Sequence, residues 1–250
     1  SNQTEKIKRK MTINSINSMD MKVDSYTQTR KKQTSRGGLQ SLHSVAFQSI
    51  LLPTLSMEAA SKRGVPINIS HTSFIGSSSP DEGGAIQIVS KNIDLTIDDC
   101  IVDDCQAKTR GGGIYHNTKS ATVCFCQFRN CLCPSVPYSG QAAFGSSIET
   151  VYEKNSIYKC PGDELLDGYE SFILLGGSQS VQDLNSSNIR SAMYACGLFT
   201  TESTLFSLVY SSFVNSSSKN HLLALSHIRP DDEITLVNFI DNEITSDGLF

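Results

Sequence analysis

Residues 95–105 read Leu-Thr-Ile-Asp-Asp-Cys-Ile-Val-Asp-Asp-Cys, and residues 111–114 add Gly-Gly-Gly-Ile. Apolar side chains alternate at Leu95 and Ile97, a large one returns at Val102, and a small one follows at Cys105. The order recurs along the chain. It reads Ile67-x-Ile69 with Phe74 and Ser77, then Ala121-x-Val123 with Phe128 and Cys131, then Thr150-x-Tyr152 with Ile157 and Cys160. Three more copies read Gln182-x-Leu184 with Ile189 and Ala192, Phe206-x-Leu208 with Phe213 and Ser216, and a shortened Ile234-x-Leu236 with Phe239 and Asn242. The anchors at 74, 102, 128, 157, 189, 213 and 239 are spaced by 28, 26, 29, 32, 24 and 26 residues. Most anchors are followed by a second apolar run, clearest at Gly83-Gly84-Ala85-Ile86, Gly111-Gly112-Gly113-Ile114 and Gly140-Gln141-Ala142-Ala143-Phe144.

A constant motif with variable spacing places insertions in loops. The apolar segments are short, alternate with period two and are interrupted by Gly, Ser and Asn, which is strand chemistry. Helical repeats need longer amphipathic segments, and propeller blades need ~40 residues or more. Short strands with one coil per ~27 residues predict an all-β solenoid, a right-handed parallel β-helix of about seven rungs. At ~4.8 Å per rung its rod is ~34 Å long. The anchors form an internal apolar stack, the small column three residues later fills inward turns, and the Gly pairs allow φ > 0 at a corner.

The segment before the repeats differs. Leu39, Leu42, Ala46 and Ile50 recur at helical spacing and Pro53 would stop a helix. A helix over about 38–52 is therefore expected to cap the open end of the solenoid. The division is a basic polar linker over 1–37, a capping helix and lead-in over 38–64, and the β-helix over 65–250, truncated at its C-terminal end.

Composition limits the function. The 250 residues carry net charge −4, with 38% apolar and 18% charged residues, which excludes a wholly disordered chain. No 18-residue apolar run is present to span a membrane. Basic residues gather in the first forty, including Arg30-Lys31-Lys32 without interleaved aromatics, so a solvated linker is expected and no nucleic-acid partner. Four sequons, at Asn2, Asn68, Asn185 and Asn215, lean towards an extracellular or cell-surface location.

The repeats resemble those of bacterial polymorphic outer-membrane proteins and of protist surface proteins built on a right-handed β-helix of the pectin-lyase-like kind. Those repeats pair a GGAI-type with an F-x-x-N-type tetrapeptide. Here Gly83-Gly84-Ala85-Ile86 matches the first and Phe239-Ile240-Asp241-Asn242 the second. Phe128-Arg129-Asn130-Cys131 and Val102-Asp103-Asp104-Cys105 are variants with Cys in place of Asn. The resemblance covers 65–250 and implies an adhesin-like module displayed at a surface. The chain departs from it in carrying no membrane barrel after the repeats and no signal before them, and the expectation is a fragment of a longer, membrane-anchored polypeptide.

Chemistry-bearing residues are few. Cys105, Cys131 and Cys160 share one column and Cys100 and Cys126 another. Stacked Cα atoms ~4.8 Å apart fall inside the disulfide window, but stacked side chains point the same way, so buried free thiols are expected. Cys124-Phe125-Cys126 and Cys131-Leu132-Cys133 are C-x-C pairs, which do not match the C-x₂-C loop that suits zinc. No metal site and no cofactor are expected. Asp98, Asp99, Asp103 and Asp104, with Arg110 and His116 nearby, are the candidates if the chain is enzymatic or binds calcium. Their columns lack acids on the next rung, where Cys124 and Phe125 stand, so no catalytic residue is assigned. There is no G-x-S-x-G elbow and no phosphate-binding loop. The expected function is non-catalytic binding of host-surface or matrix glycans or proteins through the rung loops at 132–142 and 161–170. A carbohydrate-active enzyme, either polysaccharide lyase or glycoside hydrolase, is the alternative, and a structural spacer the third reading.

Overall fold

Alternating apolar residues give each strand an inward and an outward face, and parallel stacking buries the inward one. The structure is a computed structural model that describes residues 66–134, 139–161, 170–191, 197–226 and 229–244, with the backbone of the strands Gln40–His43, Ala46–Leu52 and Leu55–Glu58. It is a parallel β-solenoid of about six turns, with no helix among the described residues. Three sheets run along it, of ten, nine and three strands, here called the first, second and third sheets.

The first sheet carries the long strands Ile86–Asp98, Ile114–Cys124, Ala143–Glu153, Phe172–Gln182 and Leu198–Val209. Its register stacks Ile69, Ile97, Val123, Tyr152, Val181 and Leu208 in one inward column. The second sheet is made of short strands such as Ile101–Asp103, Gln127–Arg129 and Ser156–Tyr158. Its inward column is the anchor stack Phe74, Val102, Phe128, Ile157, Ser186, Phe213 and Phe239. All but Phe239 are buried.

Two expectations are corrected. On the fifth rung the anchor is Ser186, which pairs with Ile157 and Phe213; Ile189 lies three residues on and takes the small-residue column instead. The spacing irregularity disappears with this shift, because the pattern had skipped a serine in favour of the nearest large apolar residue. The second correction concerns 38–52, where a capping helix was expected and strands are found. Gln40–His43 pairs in parallel with Ile67–Ser70, and Ala46–Leu52 with Ser73–Ser79. Phe47 falls in register with Phe74, so this segment adds a coil to the solenoid. Alternation at Leu42 and Phe47 meets an open sheet edge there, and pairing outweighs a weak helical period. The linker expected over 1–37 lies outside the described residues.

The first two corners follow one rule. At the first, His71, Asp99, Phe125, Lys154, Asp183, Tyr210 and Leu236 all have φ near +50°; at the second, Asp104, Asn130, Lys159, Asn188, Asn215 and Asp241 do the same. Each such residue costs ~1–2 kcal/mol outside glycine. Rung-to-rung bonds offset it, such as Asp99 N–H to the Cys124 carbonyl at 3.1 Å and Asn130 N–H to the Tyr158 carbonyl at 3.0 Å.

The next residue at each corner turns its side chain inward, and where it is Asn, Ser or Cys it serves the rung before it. Asn155 Oδ1 accepts the Cys126 N–H at 2.8 Å, and its Nδ2 donates to the Val123 carbonyl at 2.9 Å. Ser211 accepts from Leu184 N–H at 3.2 Å, and Asn242 from Ser216 N–H at 2.9 Å. Where cysteine stands in the column, Cys160 Sγ accepts the Cys131 N–H at 3.1 Å and Cys131 Sγ donates to the Val102 carbonyl at 3.5 Å. This is the physical content of the F-x-x-N pattern. The final residue satisfies backbone groups that bury at each corner and would otherwise be orphaned.

Candidate functional site

The third corner, between the third and first sheets, breaks this uniformity. On two successive rungs the chain crosses it in residues 80–85 and 108–113; on the next it takes three residues more, since Gln106 pairs with Leu132 and Ile114 with Ala143. Residues 135–138 and 162–169 of the expected binding loops lie outside the described residues. Glycines make the turn: Gly83, Gly111 and Gly140 have φ of 64°, 62° and 63°. Gly84 and Gly112 sit where a Cβ would strike the backbone of the neighbouring coil, Gly112 O and Gln141 O respectively. The turns therefore pack backbone on backbone, and the GGAI pattern is a close-approach requirement.

Immediately after this corner, the outer face of the first sheet carries an aromatic column. Tyr115 pairs in register with Phe144, and Phe144 with Ile173. All three are buried in a cluster separate from the solenoid core, with Val89 and Leu175 packed against it. The Tyr115 and Phe144 rings stack with centroids 5.4 Å apart. Arg110 lies over the Phe144 ring at 5.1 Å and pairs with Glu82 at 3.8 Å, and Gln87 Nε2 donates to Glu82 Oε2 at 3.5 Å. Glu82 and Arg110 are bridged by backbone pairing, which sets them side by side on adjacent rungs. Burial, then the Glu82 carboxylate, raises the Tyr115 hydroxyl above its ordinary range. The result is a guanidinium over a ring, half of it open to solvent, beside a carboxylate, an amide and a phenol. Such a set donates and accepts hydrogen bonds together, as hydroxylated or acidic ligands require.

The other candidates do not converge with Arg110. Asp98 ends a strand of the first sheet, where Cys124 Sγ donates to it at 3.3 Å. Asp99 occupies the first corner, exposed, 2.7 Å from His71 Nδ1. Asp103 pairs with Arg129 at 2.9 Å and accepts from Asn130 Nδ2 at 3.1 Å on the outside of the second sheet. Asp104 is an exposed residue of the second corner, with φ 53°. These acids thus sit on separate faces, two of them committed to cations or amides of neighbouring rungs.

His116 points into the solenoid. It is fully buried, with Nε2 3.0 Å from Tyr152 Oη and Nδ1 3.2 Å from Ser147 Oγ. Ser147 in turn lies 2.9 Å from Thr118 Oγ1. The imidazole fits because Gly145, its partner on the next rung, has no side chain: a Cβ there would meet His116 Nε2 at 2.5 Å. Desolvation pushes the imidazole down to about 3. It is a neutral core residue, out of reach of a ligand at Arg110.

The cysteines stack as expected. Cys100, Cys105, Cys126, Cys131, Cys133 and Cys160 are buried free thiols, and Cys124 is half-buried. Burial and Asp98 push Cys124 up to about 12, which leaves it protonated and unreactive at neutral pH. Among the described residues, no group of three or more His, Cys, Asp or Glu is placed to hold a metal ion. Sequence reading singled out Arg110 but missed Glu82, Gln87 and Phe144, whose one shared signal is position: each lies within a few residues of a glycine-led turn. The chain matches no family model, no curated protein and no solved structure.

Proposed function

We propose that this chain is a right-handed β-helix serving as a non-catalytic, adhesin-like binding module of a larger surface-exposed or secreted protein. It engages glycans or proteins of a host surface or matrix through the third corner. Right-handed crossover between parallel strands is the strong general preference. The observation that carries the binding reading is that two corners keep a constant length while the third lengthens, beside the outward column Tyr115, Phe144 and Ile173. Rigid rungs hold the other corners fixed, so only this one is free to vary without disturbing the stack, and variable loops on a rigid scaffold are where recognition concentrates. Arg110, Glu82 and Gln87 supply the polar part of that surface. The reading as a polysaccharide lyase or hydrolase draws no support from Asp98, Asp99, Asp103 and Asp104, which do not converge.

The test is a binding screen of the immobilised protein against arrayed glycans and matrix proteins, with Arg110→Ala alongside. Arg110 is half exposed, so the substitution should leave the melt within about 0.5 kcal/mol of wild type. A ligand whose binding drops at least tenfold in Arg110→Ala supports the reading. Binding that ignores Arg110 moves the site elsewhere. Release of oligosaccharides from a polymer panel, with or without calcium, would overturn the non-catalytic assignment.

A further inference from the structure

The cysteine columns invite a question that binding at the third corner does not answer. Cys131 and Cys160 occupy the same inward position on adjacent rungs, since Phe128 and Ile157, three residues before each, are in register. Both are fully buried and free. In-register stacking sets equivalent atoms ~4.8 Å apart. That separation is too long for an S–S bond. It is close to ~4.6 Å, twice a metal–thiolate bond of ~2.3 Å. Two sulfurs so placed, with a polarisable ion between them, make a linear two-coordinate site. Tetrahedral zinc needs four donors and finds two. Soft sulfur ligands select Cu(I) among biological cations.

We propose that Cys131 and Cys160 form a buried two-thiolate site for a soft monovalent cation, Cu(I) or its analogue Ag(I). Loading breaks two S–H bonds, forms two metal–sulfur bonds and releases two protons, with no change of oxidation state. One negative charge remains on the complex. The Cys131 N–H, 3.1 Å from Cys160 Sγ, is aimed at it. Asp103, the nearest carboxylate on this side, is already paired with Arg129. Cys105 stacks on the other side of Cys131 and feels Asp104. Cys100 and Cys126 stack in the neighbouring column, where Cys100 feels both Asp98 and Asp99, of which Asp99 pairs with a histidine. Both are poorer hosts for a further negative charge. The apolar neighbours Val102, Phe128 and Ile157 exclude water from the metal. Loading displaces two protons, so uptake weakens as pH falls.

The experiment is an anaerobic titration of the reduced full chain with Cu(I), supplied as its acetonitrile complex, against bicinchoninate as competing chelator. Serine stands in the same column at Ser77 and Ser216, so Cys131→Ser/Cys160→Ser keeps a residue type the corner already accepts. The matching controls are Cys105→Ser, in the same column, and Cys100→Ser/Cys126→Ser, whose column holds Ser211. The expected result is one equivalent withheld from the chelator, two protons released per ion, a raised melting temperature, and loss of all three in the first variant with retention in both controls. Equal uptake by all variants, or loss in either control, overturns the assignment. So does a Cys131–Cys160 disulfide found by peptide mapping before any metal is added.

Discussion

The first and second corners of the solenoid and its third corner solve the same problem differently. Every rung must turn while giving its buried backbone groups partners. At the first two corners the turn costs one residue with positive φ, and where Asn, Ser or Cys follows, its inward side chain accepts the N–H left behind on the rung before. That solution ties each rung to its neighbour and fixes the chain length between the inward residue of the first sheet and the anchor, as from Ile97 to Val102 or from Leu208 to Phe213. At the third corner glycine does the turning and backbone packs on backbone. Backbone bonds such as Gly84 N–H to the Gly111 carbonyl at 3.1 Å tie the rungs at that turn, so insertion there leaves the stack intact. The difference separates the part of the molecule that specifies the fold from the part free to acquire a ligand.

The comparison breaks most visibly in the anchor stack. Phe128 has no exposed surface and lies between Val102 and Ile157. Phe128→Asp buries a carboxylate without a partner, and a loss of more than about 4 kcal/mol is expected, enough to abolish the cooperative melt. Phe239, stacked on Phe213 at 5.5 Å, is 50% exposed on the last described rung. Phe239→Asp should cost only about 1 kcal/mol, the worth of a ring pair. Circular dichroism melts of the two variants give the comparison. Similar melts would mean that the stack is not what holds the rungs together.

The corner ladder gives the next effect in size. Asn155→Ala removes the acceptor for Cys126 N–H and the donor to the Val123 carbonyl, both buried. A loss of about 2–3 kcal/mol is expected in urea denaturation, since two backbone groups lose their partners. Asn155→Cys should recover part of it, because Cys126 makes the corresponding bond to the Ile97 carbonyl one rung earlier. If Asn155→Ala melts like wild type, the ladder is decoration and the corners are held by backbone pairing alone.

The interior nearest the third corner is the polar half of the core, and pH tests it. His116 is neutral when folded, with its pKa lowered to about 3, whereas the unfolded chain binds a proton near 6.5. Above pH 6.5 neither state is protonated and His116 adds no pH dependence. Below it the unfolded state gains a proton that the folded state refuses, so stability falls by about 1.4 kcal/mol per pH unit until the folded value is reached. The groups bonded to the ring are Ser147 and Tyr152, and the Tyr152 hydroxyl is itself raised by burial, so no charge compensates. Urea midpoints at pH 6.5 and pH 5 should therefore differ by about 2 kcal/mol from this residue. His116→Gln should flatten the slope by one proton. An unchanged slope would mean that the imidazole titrates normally and is not enclosed.

Much of this architecture was legible in the sequence because the anchor rule is local. Period-two alternation, a large residue five positions on and a small one three further gave parallel stacking and placed the inward cysteines. What escaped notice had physical reasons. Leu42 and Phe47 belong to a coil, but their helical companions Leu39, Ala46 and Ile50 obscured it until the register with Ile69 and Phe74 was available. The Arg110 site joins residues of different rungs, and no local pattern records that Glu82 and Phe144 come to lie beside Arg110. His116 could not be told from a surface histidine, since its burial depends on the glycine at 145, one rung away. Ser186 was passed over because the anchor rule expects bulk, and Ile189 offered it three residues late.

Ser186 is therefore the place to sharpen the comparison. It stands in the anchor column between Ile157 and Phe213, buried, and its hydroxyl finds no hydrogen-bond partner among the described residues. Ile189, by contrast, already has its N–H accepted by Ser216 Oγ at 3.2 Å, as the corner rule requires of that column. If the rung is rightly registered, Ser186→Val exchanges an orphaned hydroxyl for apolar packing and should raise stability by about 1 kcal/mol. Ile189→Ser should instead lower it by about 2 kcal/mol, the cost of emptying a buried apolar position. Were Ile189 the anchor, Ser186 would lie at a turn and valine there would be neutral or harmful. The sign of one thermal shift thus separates the two registers, and it does so at the one rung where the column breaks its own rule.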